Sequence, residues 1–369
     1  MPTAVSGHRA FRPTLADRLT QAAMTTAGAL PASAIRLAAG GVRRVDGQVL
    51  DPHFQAGIRL IALTSEGEYE DMTLEKARET VERSAFTASG NTVRLPVVED
   101  RVLPLAAAGG EREGAPAADL PARLYSPVAD DEVLPLLVYY HGGGWVLGSI
   151  DSHDATCRYL AHTGRLRVLS MDYRLAPEYL FPTAVEDAVA AYRYVRENAA
   201  EFGADPERIA VGGDSAGGNL SAVVCLLTRD AGERMPDFQL LFVPATNMSA
   251  RTRSYELFGK GYFLTAANMD FYETTYLRSD ADRTDPRASP LLAGDLSGLP
   301  PARVATAGFD PLRDEGEAYG RRMADAGVAV SLRRHSGMVH PFVNAVGATP
   351  LARAALSEAV GALRMGLAY

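Results

Sequence analysis

Cysteine is nearly absent from this 369-residue chain, and its scarcity excludes some classes of protein. Cys157 and Cys225 are the two cysteines, too few for the disulfide framework of a small secreted protein. No Cys-x-x-Cys pair suggests a structural metal. We therefore expect two free thiols that pack as small apolar side chains, and no metal site.

Long apolar runs and an excess of positive charge are missing as well. No run approaches the roughly 18 apolar residues that span a bilayer, so we expect no membrane span. The formal net charge of −8 argues against nucleic acid as a partner, because phosphate binding needs clustered Lys and Arg. The Ala-rich stretch Gln21–Gly41 lacks the compact basic-then-apolar design of a signal peptide. We expect a cytoplasmic enzyme.

From about Leu120 onward, short apolar runs alternate with longer helical patterns. The runs are rich in Val, Leu, Ile and aromatics, as in strands buried on both faces: Leu134–Tyr140, Leu166–Asp172, Arg208–Gly213, Phe238–Val243, Ala302–Ala307 and Val328–His335. The helical patterns lie between and after them: Pro182–Asn198, Ser215–Asp230, Leu312–Ala326 and Leu351–Leu367. This alternation predicts an α/β fold with a mostly parallel sheet and helices on both sides.

The first hundred or so residues have a different pattern. Leu15–Leu37 and Leu74–Ala88 read as helices. Three antiparallel strands are then predicted, with the Gly/Ala/Pro-rich loop Gly109–Ala118 before the last of them: Thr92–Val98, Arg101–Ala107 and Pro121–Ser126.

A second irregular region, Asn247–Arg287, interrupts the strand–helix rhythm and carries seven aromatic residues. Its aromatic side chains could simply be part of the core. They could equally form a lid over an apolar site, because lids and binding loops tend to lie outside the scaffold. The pattern alone leaves both interpretations open.

The pentad Gly213–Gly217 has the form Gly-x-Ser-x-Gly, which is weak evidence by itself. Its context strengthens it, because it follows the apolar strand Ile209–Gly212 and precedes a helix. A serine on such a strand–turn–helix is lifted to the top of a sheet, where it can act as a nucleophile. The tight turn leaves no room for side chains at Gly213 and Gly217. Ser215 is therefore the candidate nucleophile.

A second motif, His141–Trp145, contains three consecutive glycines directly after the strand Leu136–Tyr140. Without side chains, the backbone N–H groups can turn toward a ligand oxygen. Acyl transfer needs such donors because its tetrahedral intermediate carries an oxyanion. A flexible turn is the alternative, but a nucleophile motif in the same chain favours the catalytic interpretation. We expect His141 itself to hold the loop and not to be the base.

The general base must be one of seven histidines. His340 lies in the loop between the last strand and the last helix, at the carboxyl end of the parallel strands, as Ser215 does. His335 falls at the end of the last apolar run and is a strand position. Asp310 follows Ala302–Ala307, one strand earlier, and can orient His340. The chain order Ser215, Asp310, His340 is the order used by α/β-hydrolases.

These motifs together resemble the hormone-sensitive-lipase-like esterases, also called bacterial family IV. The resemblance covers the chain from about Leu120 to its end and includes the subgroup motif Gly-Asp-Ser-Ala-Gly. The matching segments are His141–Gly144, Asp172–Glu178, Gly213–Asn219, Asp310–Glu315 and His340–Phe342.

The resemblance implies an α/β-hydrolase fold, with an eight-stranded, mostly parallel sheet beneath a helical cap. The cap would comprise residues 1–90 and an insertion at about 247–287, and residues 91–369 would form the catalytic domain. The oxyanion hole would consist of the N–H groups of Gly143, Gly144 and Ala216. Expected substrates are small-molecule esters with short- to medium-chain acyl groups, and no cofactor is implied.

Other functions use the same fold. One is a deacetylase or amide hydrolase dedicated to one metabolite, which would have the same triad and so could be separated only by a substrate panel. Another is a non-catalytic small-molecule receptor, but such relatives lose the catalytic histidine, and His340 is present. The sequence does not decide whether the chain forms a homodimer.

Overall fold

The computed structural model describes residues 11–64, 67–105, 119–129 and 131–368. The predicted loop Gly109–Ala118 lies outside them. The strands are β1 (Arg44–Val45), β2 (Gln48–Val49), β3 (Val97–Leu103), β4 (Leu120–Ser126), β5 (Leu134–Tyr140), β6 (Arg167–Met171), β7 (Ala204–Asp214), β8 (Phe238–Phe242), β9 (Ala302–Phe309) and β10 (Val330–Val339).

The α-helices are α1 (Leu15–Gly28), α2 (Ala32–Ala39), α3 (Pro52–Thr64), α4 (Leu74–Ser89), α5 (Asp154–Gly164), α6 (Thr183–Glu197), α7 (Ala216–Asp230), α8 (Arg253–Phe258), α9 (Ala266–Tyr276), α10 (Arg313–Asp325) and α11 (Pro350–Gly366). None of these described helices is long and apolar enough to cross a bilayer.

Eight strands form one sheet in the order β10-β9-β8-β7-β5-β6-β4-β3. β4 is antiparallel to both of its neighbours, and the pairings from β6 to β10 are parallel. The predicted eight-stranded, mostly parallel α/β sheet is confirmed. Since parallel strands end at the same edge of a sheet, the loops after β5, β7, β9 and β10 meet there.

The candidate site residues occupy that edge. His141, Ser215, Asp310 and His340 are each the first residue after their strand, which ends at Tyr140, Asp214, Phe309 and Val339 respectively. Pairing registers align these ends, with Tyr140 opposite Gly213 and Phe309 opposite Val339. The sheet therefore sets the separation of the loops before any side chain is considered.

The structure corrects two predictions for the N-terminal part. The predicted helix Leu15–Leu37 is two helices, because Pro31 lacks the N–H that a continuous helix needs and instead starts α2. One strand, β3 (Val97–Leu103), stands where the strands Thr92–Val98 and Arg101–Ala107 were predicted, and Ala106 and Ala107 lie outside the described residues. β3 runs through the exposed Glu99 and Asp100 because it is an edge strand, where charged side chains are tolerated.

The N-terminal hairpin β1–β2 is bonded to the edge of the sheet where the candidate site residues lie. The Asp51 N–H donates to Gly337 O at 2.9 Å, and the Gln48 amide donates to Gly308 O at 3.0 Å. A carboxylate oxygen of Asp46 lies 2.9 Å from the guanidinium of Arg313. These bonds fix the first helices against the ends of β9 and β10.

The aromatic insertion proves to be packed into the molecule. Five of its seven aromatic residues are buried: Tyr255, Phe258, Tyr262, Tyr272 and Tyr276. The Asn268 amide also donates to Glu70 Oε2 at 2.7 Å, which joins the insertion to the N-terminal segment. The core interpretation is therefore right for most of these rings, and a lid role is a separate question.

Cys157 and Cys225 are buried free thiols, as predicted. Burial raises the pKa of both thiols. Within the described ranges, no group of three or more His, Cys, Asp or Glu side chains could hold a metal ion.

Half-buried His335 makes stability depend on pH. Burial lowers the pKa of His335 to about 4, below the value near 6.5 of an unfolded histidine. Between these values the unfolded chain binds the extra proton, so stability falls as the pH drops below about 6.5. We expect His335→Gln to lose less stability than the wild type between pH 7.5 and pH 5, measured by denaturant unfolding.

Exposed His162 provides the matched control for this comparison. His162→Gln should follow the wild-type pH dependence. An equal pH dependence of the wild type and His335→Gln would contradict the assignment to His335.

Candidate active site

Ser215 has a strained backbone at the turn between β7 and α7, with φ 54° and ψ −115°. Such a conformation costs a non-glycine residue about 1–3 kcal/mol, so neighbouring bonds must hold it. The Ser215 N–H donates to Phe242 O at 2.9 Å, and Ser215 O accepts from the N–H groups of Asn219 and Ala245 at 3.0 and 3.2 Å. The strain is thus offset by backbone bonds on both sides.

The glycines of the pentad are required by close backbone contacts. A Cβ atom on Gly213 would lie 2.6 Å from the Gly217 carbonyl carbon, and a Cβ on either glycine would overlap the Tyr140 carbonyl oxygen. The end of β5 therefore touches the turn directly. Ala216 is the first residue of α7, so its N–H is among those that a helix leaves without an intrahelical partner.

The glycine loop adopts conformations that favour glycine. Gly143 and Gly144 have φ values of 124° and 62°. The Gly143 carbonyl accepts hydrogen bonds from the Val146 and Leu147 N–H groups at 3.2 and 2.8 Å, which closes the loop into a tight turn. A Cβ atom on Gly144 would overlap the ring of Tyr272, so α9 lies directly against this loop.

His141 is fully buried within the loop. Its ring stacks on Tyr173 with centroids 4.4 Å apart, and its Nδ1 lies 2.8 Å from Gly142 O. The Tyr173 hydroxyl donates to His141 O at 2.7 Å. These contacts fit the structural role predicted for His141.

Asp310 and His340 are brought together by the structure. His340 Nδ1 lies 2.9 Å from Asp310 Oδ2, and Asp310 is completely buried. The other carboxylate oxygen of Asp310 accepts the Leu312 N–H at 2.9 Å, which fixes the carboxylate plane. Because Nδ1 is engaged by the carboxylate, Nε2 is the nitrogen available for proton exchange.

The neighbouring acids in this segment have other partners. Glu315 is buried and accepts the N–H groups of Thr246 and Asn247 at 2.7 and 3.1 Å, which anchors the chain after β8. Burial raises the pKa of Glu315 to about 8. Asp314 accepts the Ser254 N–H at 2.8 Å. The preference for Asp310 as the acid beside His340 is consistent with these contacts.

Sequence reasoning gave no role to Asp214 and His153, which form a buried pair beside Ser215. His153 Nε2 lies 3.1 Å from Asp214 Oδ1, and both side chains are at least nine-tenths buried. One signal was available: Asp214 occupies the variable position of the pentad, next to the candidate nucleophile. The spacing of the two residues in the sequence does not predict the contact between them.

One cavity of about 260 Å³ lies between α4 and α5. Its lining includes Phe11, Arg123, Asp151 and Asn344, but not Ser215, Asp310 or His340. Arg123 and Asp151 are paired with each other at 2.7 Å across it. We do not assign it to catalysis.

Comparison with known proteins agrees with this geometry. A family profile described as alpha/beta hydrolase fold matches residues 137–344. The carboxylic ester hydrolase LipN of Mycobacterium tuberculosis (strain ATCC 25618 / H37Rv) is 45% identical over 340 residues, which are 90% of this chain and 87% of that protein. The chain belongs to the α/β-hydrolase family.

Two further relatives indicate which group of α/β-hydrolases this chain resembles. Ethyl acetate hydrolase of Pseudomonas putida is 43% identical over 61% of this chain and 71% of that protein. The structure of an ester hydrolase from the metagenome of Lake Arreo, complexed with a derivative of bipyridine phosphonate, is 40% identical with a TM-score of 0.81. The match covers 87% of this chain and 100% of that one. These relatives confirm the resemblance to hormone-sensitive-lipase-like esterases.

The contact between Gly144 and Tyr272 gives a test of the loop geometry. Gly144→Ala should lower kcat for an aryl ester at least about tenfold, because the new methyl group must displace either the Tyr272 ring or the loop, and a misplacement of about 1 Å is costly. Gly232→Ala is the matched control, since Gly232 also has a positive φ but has open space around it. Equal kcat values for the two variants would contradict a tightly constrained loop.

Proposed function

We propose that this chain is a carboxylesterase that works through Ser215, His340 and Asp310. The observation that carries the proposal is the 2.9 Å bond between Asp310 and His340 at the sheet edge that also holds the strained Ser215 turn. An imidazole oriented by a buried carboxylate, near a serine lifted from the sheet, is the arrangement that nucleophilic acyl transfer requires.

The reaction would proceed in two halves. His340 Nε2 takes the Ser215 hydroxyl proton while Oγ bonds to the ester carbonyl carbon, and the carbonyl electron pair moves onto oxygen. The N–H groups of Gly143, Gly144 and Ala216 would hold this oxyanion. When the intermediate collapses, the C–O bond to the alcohol breaks and the alcohol leaves with the proton from His340.

Water then repeats the sequence on the acyl-enzyme. His340 takes a proton from a water molecule while the oxygen of that water bonds to the acyl carbon. The second tetrahedral intermediate then collapses to the carboxylic acid. The Ser215 oxygen leaves with the proton from His340, which restores the free enzyme. Asp310 stays ionised throughout and stabilises the imidazolium in both halves.

We also propose a substrate class and a cap. The aromatic residues of the insertion limit the space beside the oxyanion loop: Tyr272 lies against Gly144, and Tyr276 stacks on Trp145 with centroids 4.8 Å apart. This crowding, together with relatives named for carboxylic esters and ethyl acetate, supports short- to medium-chain acyl esters. Residues 1–90 and about 247–287 would act as the cap over residues 91–369, and a cytoplasmic location fits the composition.

Replacing the nucleophile gives the direct test. Ser215→Ala should lower the turnover of a p-nitrophenyl acetate-type ester by at least about 10⁴-fold, because the covalent path is lost. It should also abolish labelling by a fluorophosphonate probe and leave the free energy of unfolding within about 1 kcal/mol of the wild-type value. Ser221→Ala is the control. Ser221 lies more than one helical turn further along the chain, in α7, and this variant should still be labelled. Wild-type turnover by Ser215→Ala would refute the proposal.

An acyl-chain-length series tests the substrate class. We expect kcat/KM to be highest for short and medium acyl groups and at least about tenfold lower for chains of about twelve carbons, because the aromatic rings bound the space. Tyr272→Ala should shift the optimum toward longer acyl groups. A flat series would contradict the proposed substrate class, and efficient cleavage of a matched amide alone would favour the dedicated amide hydrolase.

A further inference from the structure

Asp214 and His153 form a buried pair of titratable side chains that the proposed chemistry does not use. Their side chains are 8% and 3% exposed, and His153 Nε2 lies 3.1 and 3.2 Å from the two carboxylate oxygens. A buried carboxylate without a partner would be strongly destabilising, so the pair must be kept for a reason or be well compensated.

Hydrogen bonds around the pair fix the orientation of the His153 ring. The Ser152 hydroxyl lies 2.9 Å from Ser149 O, which can only accept, so Ser152 Oγ must accept from His153 Nδ1 at 2.9 Å. His153 Nε2 then faces the Asp214 carboxylate, and the Gly142 N–H also points toward it at 3.4 Å. Burial disfavours a charged His153, but the Asp214 carboxylate overcomes this effect and raises the pKa of His153.

Asp214 connects three parts of the catalytic edge. It is the residue before Ser215 in the turn. Its Oδ1 accepts the Tyr139 hydroxyl at 2.7 Å and the Gly142 N–H at 3.1 Å. Gly142 directly precedes Gly143, so one carboxylate joins the nucleophile turn to the loop that carries two of the proposed oxyanion donors. Burial alone would raise the pKa of Asp214, but His153 and Tyr139 together lower it.

His153 extends the connection to the third loop. The side-chain amide of Asn344 lies 3.1 Å from His153 Nε2. Asn344 ends the short turn His340–Asn344 that begins at the proposed base. The Thr156 hydroxyl, one turn along α5, holds the same segment through Val343 O and Asn344 Oδ1, both at 2.9 Å. The buried pair therefore contacts three of the four loops that the proposed mechanism needs, those after β5, β7 and β10.

We propose that Asp214 and His153 are positioning residues that hold the glycine loop and the His340 turn in register with Ser215. Neither would touch the substrate; each acts through the loops that it bonds. The inference rests on the proposed esterase function. It assigns a specific task to the aspartate of the pentad, whose neighbour Ser215 performs the chemistry.

Asp214→Asn is the sharpest test, since Asn keeps the shape and an acceptor for Tyr139 and Gly142 but removes the charge that faces His153. We expect kcat, per active site titrated with the fluorophosphonate, to fall about 10- to 100-fold with KM within about threefold, because misplaced donors fail mainly in the transition state. His153→Gln should behave likewise.

Their double variant distinguishes positioning from two separate defects. Asp214→Asn combined with His153→Gln can form a neutral amide–amide pair with no buried charge left unpaired. Its kcat should therefore exceed the product of the two single effects by at least about fivefold. Strictly multiplicative losses in kcat would overturn the proposal.

Glu317→Gln is the matched control. Glu317 is a buried carboxylate that pairs with Arg334 but contacts none of the three loops, so its loss should lower stability and leave kcat within about twofold. If Asp214→Asn does not fold, Tyr139→Phe carries the test. It removes a single bond to Asp214 and should lower kcat about two- to fivefold.

Failure of the inference and failure of the proposed function give different results. Full turnover by Ser215→Ala would refute the esterase mechanism itself. An inactive Ser215→Ala together with wild-type kcat in Asp214→Asn would refute positioning alone. If Asp214→Asn only moves the pH at which kcat/KM rises and keeps the plateau, Asp214 acts through its charge on His340, and positioning is also wrong.

Discussion

The backbone contact between the end of β5 and the Ser215 turn is the constraint on which the rest of the site depends. The Tyr140 carbonyl occupies the space where Cβ atoms of Gly213 and Gly217 would lie. This close approach forces glycine on both sides of the serine and brings the glycine loop, which begins one residue later, beside Ser215. Parallel pairing of β5 with β7 thus determines both the strained serine and the position of the proposed oxyanion donors.

The N-terminal segment supports the same loop from outside. The Arg78 guanidinium donates to Val146 O at 3.0 Å and to Ala176 O at 3.1 Å, and it pairs with Glu178. The Val146 N–H in turn bonds to Gly143 O. A segment with no predicted catalytic residue therefore helps to fix the tight turn of the glycine loop.

The sequence predicted the features that depend on local pattern. Strand runs followed by Ser215, Asp310 and His340 indicated one sheet edge, and the structure places all three there. It could not predict contacts between residues far apart in the chain. His153 and Asp214 are 61 positions apart, and a histidine at a helix start has no periodicity to reveal it. Helix α3 was missed. Edge strand β3 was divided because its exposed charged residues interrupt the apolar pattern of a strand.

The backbone origin of the proposed oxyanion donors has a consequence for variation. A side-chain donor can be deleted by a single substitution, whereas an N–H group is carried by every residue except proline. At Gly143 and Gly144 a substitution cannot remove the donor without introducing proline; it can only move it. The effect of a substitution at these two positions is therefore expected to depend on the volume of the new side chain in a crowded site. The N–H group itself belongs to the backbone and is present with any residue except proline.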